Sequence, residues 1–255
     1  VRPASSRGAI TASASCRPTG SAIKEEDARG GGSTRPKSRG MWLWRKVPVH
    51  EADGEVKLAQ QVADSMVKNG IQLVVFDMDQ TMVSKHSMGS LKRSDFQWFA
   101  DHVTPGFKAL VPKLSAAGIK LAIGTASDKA EYSPPRKTAL THMLGEDLVK
   151  PLLQTAVPDH ATEFFVVAYN PRARKDEGTL PENQGKRRHI REACEHYNLP
   201  QSSALLLDDE NGNHRKHLGV PFYSVKVSRR HGLRLAPLLQ QLDYLPQNGG
   251  FVPLP

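Results

Sequence analysis

Val74-Val75-Phe76-Asp77-Met78-Asp79-Gln80-Thr81 is the stretch that decides how this chain is read. It opens as part of a nearly continuous apolar run from Ile71 to Phe76, the pattern of a strand buried on both faces of a sheet. Two carboxylates one residue apart follow at once. Outward from there, apolar strands and amphipathic helices alternate. Leu58, Val62 and Met66 recur at four-residue spacing within Val56–Lys68, and Gly70 supplies a stop. Phe107, Leu110, Val111 and Leu114 mark a second helix, which Pro112 is expected to bend or shorten before Gly118 ends it. Lys120–Ile123 reads as a strand and Phe164–Ala168 as another. Ile190, Ala193, Cys194 and Tyr197 mark a helix, Ala204–Leu207 and Phe222–Val227 two further strands, and Leu233–Leu242 a closing helix. The expected class is α/β, a Rossmann-like parallel sheet with helices on both faces.

The polar residues gain meaning from where they fall on this frame. Asp77 and Asp79 follow the first strand, Thr125 the second, and Asp208 and Asp209 the Leu205-Leu206-Leu207 strand. In open parallel sheets, ligands bind beyond the carboxyl ends of the strands, so these side chains are expected to converge there. Taken singly, an Asp-x-Asp after a strand is ordinary turn chemistry, Asp208-Asp209 a turn cap and Thr125 a helix cap. Three such groups at equivalent strand ends are a different matter. Four carboxylates at one site repel each other unless a divalent cation offsets them, and oxygen-only ligands favour Mg²⁺.

These motifs resemble those of the haloacid dehalogenase superfamily, in its Asp-x-Asp-x-Thr phosphatase branch. The resemblance spans roughly Gln72 to Val227, with the first motif at Asp77-Met78-Asp79-Gln80-Thr81 and the second at Leu121-Ala122-Ile123-Gly124-Thr125. The fourth is Leu207-Asp208-Asp209 with Asn213 four residues on, and the third is a lone lysine. Lys186, 23 residues before Asp209, has the interval of a helix followed by a strand, and Lys175 is the fallback. Two positions depart from the family pattern: Gln80 stands where Gly is usual, and Asn213 where an acid is usual.

The resemblance implies a Mg²⁺-dependent phosphatase that hydrolyses a phosphomonoester through an aspartyl-phosphate. Asp77 is the implied nucleophile and Asp79 the general acid and base. Thr125, Ala126 and Lys186 are implied to hold the phosphoryl group, and Asp77, Asp79, Asp209 and Asp208 the metal. Two alternatives stand beside this: a phosphotransferase using the same intermediate, and a non-catalytic domain of the same fold that binds a partner. Only 43 residues separate Thr81 from Thr125, and 60 separate Thr125 from Lys186. That leaves room for a flap near Met82–Phe96 and a polar loop at Tyr169–Gly185, but not for a large cap domain. The flap carries Lys85, His86, Lys92 and Arg93, and the loop Arg172, Arg174 and Lys175, all of which can attract anionic parts of a substrate. His86 is the first of these to test for substrate contact. His214 and His217 have no cysteine partner nearby to make a zinc site.

Residues 1–40 read differently from the rest. They are rich in Ser, Arg, Gly, Ala and Thr, contain Gly30-Gly31-Gly32-Ser33, and show no helical or strand period. They are expected to be a disordered basic segment, with 41–255 forming the hydrolase domain. This segment carries eight Lys/Arg against three acids, more than half of the net charge of +9. Val1–Lys24 has four basic residues and no acids, as an organelle transit peptide has, so a plastid or similar compartment stands beside the cytoplasm as an expectation. Two cysteines, Cys16 and Cys194, fit a reducing compartment. No apolar run approaches the roughly 18 residues of a membrane span. The absence of an aromatic-rich basic stripe argues against nucleic acid as the partner. A phosphorylated small molecule or phosphoprotein is the expected substrate, with oligomeric state open.

Overall fold

A computed structural model describes residues 49–174, 180–214, 221–245 and 251–252. The expectations for residues 1–40, Lys175 and His217 lie outside these described residues. The elements run α1 (Val49–Lys68), β1 (Leu73–Phe76), β2 (Leu91–Lys92), α2 (Phe96–Ala100), α3 (Pro105–Ala116) and β3 (Lys120–Thr125). They continue with β4 (His142–Met143), α4 (Glu146–Ala156), β5 (Phe164–Ala168), α5 (Arg187–Tyr197), β6 (Ala204–Asp208), β7 (Tyr223–Lys226), α6 (Leu235–Leu242) and β8 (Phe251–Val252).

The main sheet is parallel throughout, in the order β5-β3-β1-β6-β7-β8. Relabelled by position among the sheet strands alone, this is the doubly wound order, in which the chain reverses its direction of travel between β1 and β6. Phe76 lies level with Ile123 on one side and Leu207 on the other, with β3 running two residues and β6 one residue beyond that level. The residues that follow them are therefore neighbours in space.

Alternation along β1 divides the core. Val74 and Phe76 face a large apolar cluster with residues of α1, α3, α4 and α6, while Leu73 and Val75 face a smaller one under α5. On the large side Phe76 packs edge-on against Phe107, ring centroids 5.1 Å apart. The α/β class with helices on both faces is what the alternation of apolar segments predicts, and the two faces are unequally covered.

Several boundaries differ from the sequence reading. α1 begins before Val56, and β1 loses Ile71 and Gln72, whose backbone serves the turn out of α1 and a link to Ser203. β3 continues two residues past Ile123, held in register by Val167 and Ala168 of β5, so Thr125 closes the strand instead of following it. β6 likewise includes Asp208, paired with Lys226. Pro112 does not shorten α3, which runs through it to Ala116. Thr104 starts that helix by accepting from the Phe107 N–H at 3.3 Å, Pro105 occupies its first position, and Phe107, Leu110, Val111 and Leu114 are buried.

The insert after β1 is not a free flap. Its β2 pairs antiparallel with β4, from the segment after β3, in a two-stranded sheet of its own. These two sheets are the only ones among the described residues. No helix among them is long and apolar enough to cross a membrane.

Candidate active site

The β1–β6 junction gathers the acidic residues. The Asp77 N–H donates to the Leu207 carbonyl at 2.9 Å, extending the ladder one residue beyond β1 and setting Asp77 beside Asp208. The chain then turns tightly, with Met82 N–H on the Asp77 carbonyl at 3.2 Å and Val83 N–H on that of Met78 at 3.0 Å. Gln80 takes the left-handed φ of +57° in this turn, a position where Gly carries no Cβ penalty.

Asp79 does not face its acidic neighbours alone. Its Oδ1 accepts from the Ser87 N–H at 3.0 Å and its Oδ2 from the Ser87 hydroxyl at 2.7 Å. His86 Nδ1 sits 3.0 Å from the same Oδ2. The hydrogen bond to Asp79 raises the His86 pKa above its usual value. The same Nδ1 lies 2.9 Å from the Met88 N–H, from which it accepts only when bare. Nδ1 therefore bonds to Asp79 when it carries a proton and to its own turn when it is bare.

Lys186, at the head of α5, is 6% exposed and lies among the strand ends. Its Nζ donates to Asp77 Oδ1 and to the Gly124 carbonyl, each at 2.5 Å, and stands 3.9 Å from Asp208 Oδ2. Burial works against the ammonium, but Asp77 and Asp208 hold its pKa above the usual lysine value. Burial pushes the Asp77 carboxyl well up, and Asp208 and Asp79 add to the rise against the pull of Lys186. Lys186 is thus the ammonium that Asp77 and Asp208 share, and on Asp77 burial outweighs it.

Thr125 is buried at the end of β3, and its Oγ1 accepts from the Ser127 N–H at 3.1 Å, which leaves its own proton to donate elsewhere. Behind it, His189 of α5 lies 3.0 Å by its Nε2 from the Thr125 carbonyl. Burial drives the His189 pKa down to about 3, so the ring is neutral and Nε2 carries the proton that the carbonyl accepts. Gly124 is needed here, because a Cβ on it would stand 3.0 Å from His189 and 3.2 Å from Val75. Ser127 fastens the insert after β1: its hydroxyl donates to the Gly89 carbonyl at 2.7 Å and accepts from the Gly145 N–H at 2.9 Å.

Asp208 and Asp209, adjacent in sequence, take different roles. Asp208 is fully buried, with Oδ1 accepting from the Glu210 N–H at 2.7 Å and Oδ2 from the Asn213 side chain at 2.8 Å. Asp209 lies 3.0 Å by its Oδ2 from Arg229 Nε, and Arg229 also bonds Glu210. Burial and Asp208 raise the Asp209 pKa in spite of Arg229.

These residues border one cavity of about 450 Å³, which Asp77, Asp79, His86, Thr125, Ala126, Lys186, Asp208 and Asp209 all line. The structure thus brings every site residue expected from the sequence to one place. Of the two lysines weighed, Lys186 reaches Asp77 and Lys175 lies outside the described residues. His86 is engaged with Asp79, and Asp208 is already satisfied by protein donors. Arg229, Ser87, Tyr169 and His189 line or support the site without having been singled out for it. Arg229 and Ser87 carry no sequence signal beyond residue type. His189 had one: with Ile190, Ala193 and Cys194 it falls on the buried face of α5.

Burial and mutual repulsion raise the pKa of Asp77 and Asp209 in spite of Lys186 and Arg229, and carboxylate oxygens are the donor type that a hard divalent cation takes. Among the described residues no three His, Cys, Asp or Glu side chains already stand in ligating geometry. Asp77 and Asp209 point instead at Lys186 and Arg229.

No protein-family model and no curated protein matches the chain. Among solved structures, it is similar to a hypothetical protein from Xanthomonas campestris, at 16% identity over 67% of this chain and 70% of that one, with a TM-score of 0.31. That degree of likeness carries no argument about activity.

Proposed function

We propose that this protein is a Mg²⁺-dependent phosphatase of the haloacid dehalogenase type, hydrolysing a phosphomonoester through an aspartyl-phosphate. The observation that carries the reading is Asp77 at the β1–β6 switch point, its Oδ1 held at 2.5 Å by Lys186 and its carboxyl bordering a cavity shared with Asp79, Thr125 and Asp209. Lys186 engages Oδ1, which leaves Oδ2 as the attacking atom.

Oδ2 of Asp77 forms a bond to phosphorus as the bond to the leaving oxygen breaks, and Asp79 gives that oxygen its proton. Ser87 and His86 hold the Asp79 carboxyl in place for the transfer. Water then attacks the same phosphorus, Asp79 takes its proton, and the phosphorus–Asp77 bond breaks to release phosphate. The free Thr125 hydroxyl proton, the Ala126 backbone and the Lys186 ammonium stabilise the charge on the phosphoryl oxygens. Asp77, Asp209 and the Asp79 carbonyl would hold Mg²⁺, with Asp208 braced behind them, and the ion supplies further charge neutralisation.

The test is hydrolysis of a broad phosphomonoester panel by the full-length protein with Mg²⁺, and acid-quench trapping of a phosphoenzyme. Asp77→Asn is expected to lower kcat by at least about a thousandfold and to abolish the trapped phosphoenzyme. Wild-type turnover by that variant would remove Asp77 as nucleophile. No turnover of any panel member by the wild type would favour a binding domain.

A further inference from the structure

We infer that the substrate carries a second anionic group beyond the phosphoryl it loses, and that Arg172 binds it. The inference rests on the phosphatase reading and extends it to the substrate's class. The cavity of about 450 Å³ falls in the range of small-molecule sites and is larger than a phosphoryl group requires. Its outer wall is formed by the segment that leaves β5, and that segment is built rather than loose. The Tyr169 N–H donates to the Thr125 carbonyl at 3.0 Å, and the Asn170 N–H to Asp128 Oδ2 at 3.1 Å. The Asn170 side-chain amide reaches Glu131 at 2.5 Å, and its Oδ1 accepts from the Arg172 N–H at 2.9 Å. Arg174 closes the clamp, with Nε on Asp128 Oδ2 at 2.8 Å. Burial works against the Asp128 charge, yet Arg174 and the Ala130 and Asn170 N–H groups hold its pKa below the usual value.

Four arginines surround this wall and the rim opposite, and three are committed. Arg174 is on Asp128, Arg229 on Asp209 and Glu210, and Arg188 on Glu192, with its guanidinium 4.1 Å over the Tyr169 ring. Arg172 is exposed, lines the cavity, and pairs with no carboxylate among the described residues. A guanidinium held by a fixed backbone beside a phosphoryl site is matched to a carboxylate or a second phosphate, which it grips with two parallel N–H groups. Tyr169 borders the same cavity and is 2% exposed, its ring packed under the Arg188 guanidinium and edge-on to His189.

The experiment compares matched substrates on the full-length protein with Mg²⁺. One pair is glycerol 3-phosphate and 3-phosphoglycerate, which adds a carboxylate. The other is fructose 6-phosphate and fructose 1,6-bisphosphate, which adds a phosphate. A phosphoserine peptide with neutral flanks is the macromolecular control. At least one doubly anionic member is expected to exceed its partner in kcat/KM by about tenfold to a hundredfold, mainly through KM. The pair that shows the preference identifies the anion. Arg172→Gln is expected to bring that ratio close to one with an unchanged melting temperature, and Arg172→Lys to keep part of it. Ratios near one in the wild type, equal losses on both members in Arg172→Gln, or fastest turnover of the peptide would overturn the proposal. If no member turns over, the phosphatase reading fails. Calorimetric titration of the same pairs into wild type and Arg172→Gln then decides the anion site by itself: selective binding lost in the variant supports it, and equal binding sinks it.

Discussion

Replacing Lys186 by Met removes the one ammonium that balances Asp77 and Asp208 while keeping most of the side-chain volume. Lys186 is 6% exposed and Asp77 8%, so solvent does little to stand in for the lost partner. Breaking a buried pair from one side costs about 3–5 kcal/mol, because the remaining charge stays in a low-dielectric site. The pH dependence gives the cause. The Asp77 pKa is already raised by burial in the folded protein, so its contribution to stability is greatest below the unfolded value of about 3.9 and is lost as pH rises through the folded value. Without Lys186 that folded value climbs further. The Lys186→Met deficit should therefore be small while Asp77 is protonated in both folded proteins, widen as pH rises through the wild-type folded value, and level off above the variant's. Urea unfolding of the full-length protein in chelator, at steps from pH 4 to 8, measures it. Adding Asp77→Asn to Lys186→Met should recover most of the loss and flatten the profile. A single variant within about 1 kcal/mol of wild type at pH 7 would refute the reasoning. So would a double variant less stable than the single.

His189 gives the opposite slope. With a folded pKa of about 3, below its unfolded value of about 6.5, it makes the protein lose roughly 1.4 kcal/mol per pH unit as pH falls between those values. His189→Gln should flatten that acid limb in the same urea series, and an unchanged limb would assign it to other groups. Gln80→Gly relieves the left-handed backbone at φ +57° and should raise stability by about 1 kcal/mol in denaturant unfolding. A loss of stability there would mean that the Gln80 side chain contributes more than its backbone costs.

Much of the site was readable because strand ends are readable. Four buried residues in β1 and the run Leu205–Leu207 leave little doubt about where the chain emerges from the sheet. A parallel order then forces Asp77, Thr125 and Asp208-Asp209 together. Lys186 followed from its interval to Asp209, because an 11-residue helix and a strand occupy a known length. The supports were not readable. Asp128 meets Arg174 across 46 residues and Ser127 meets Gly89 across 38, and Ser, Asp and Arg in loops are too common for either pairing to show in the sequence. The division of labour between Asp208 and Asp209 was hidden for another reason. Successive residues at a strand end point to opposite sides, and what each meets depends on Asn213 and Arg229, which come from later loops. The pairing of β2 with β4 rests on two residues in each strand, too few to leave a period.

The uneven covering of the sheet ties activity to solubility. Leu73, Val75, Ala122 and Leu206 are sheltered on the smaller face by α5 and its flanking residues, and the same helix begins at Lys186 and carries His189. If α5 lifts away, the ammonium leaves Asp77 and a strip of aliphatic sheet meets water in one motion. The larger core under α1, α3, α4 and α6 has no part in that motion. A molecule damaged in this way is at once inert and sticky, so quality-control machinery that binds exposed aliphatic surface would remove inactive copies without ever sensing the catalytic residues.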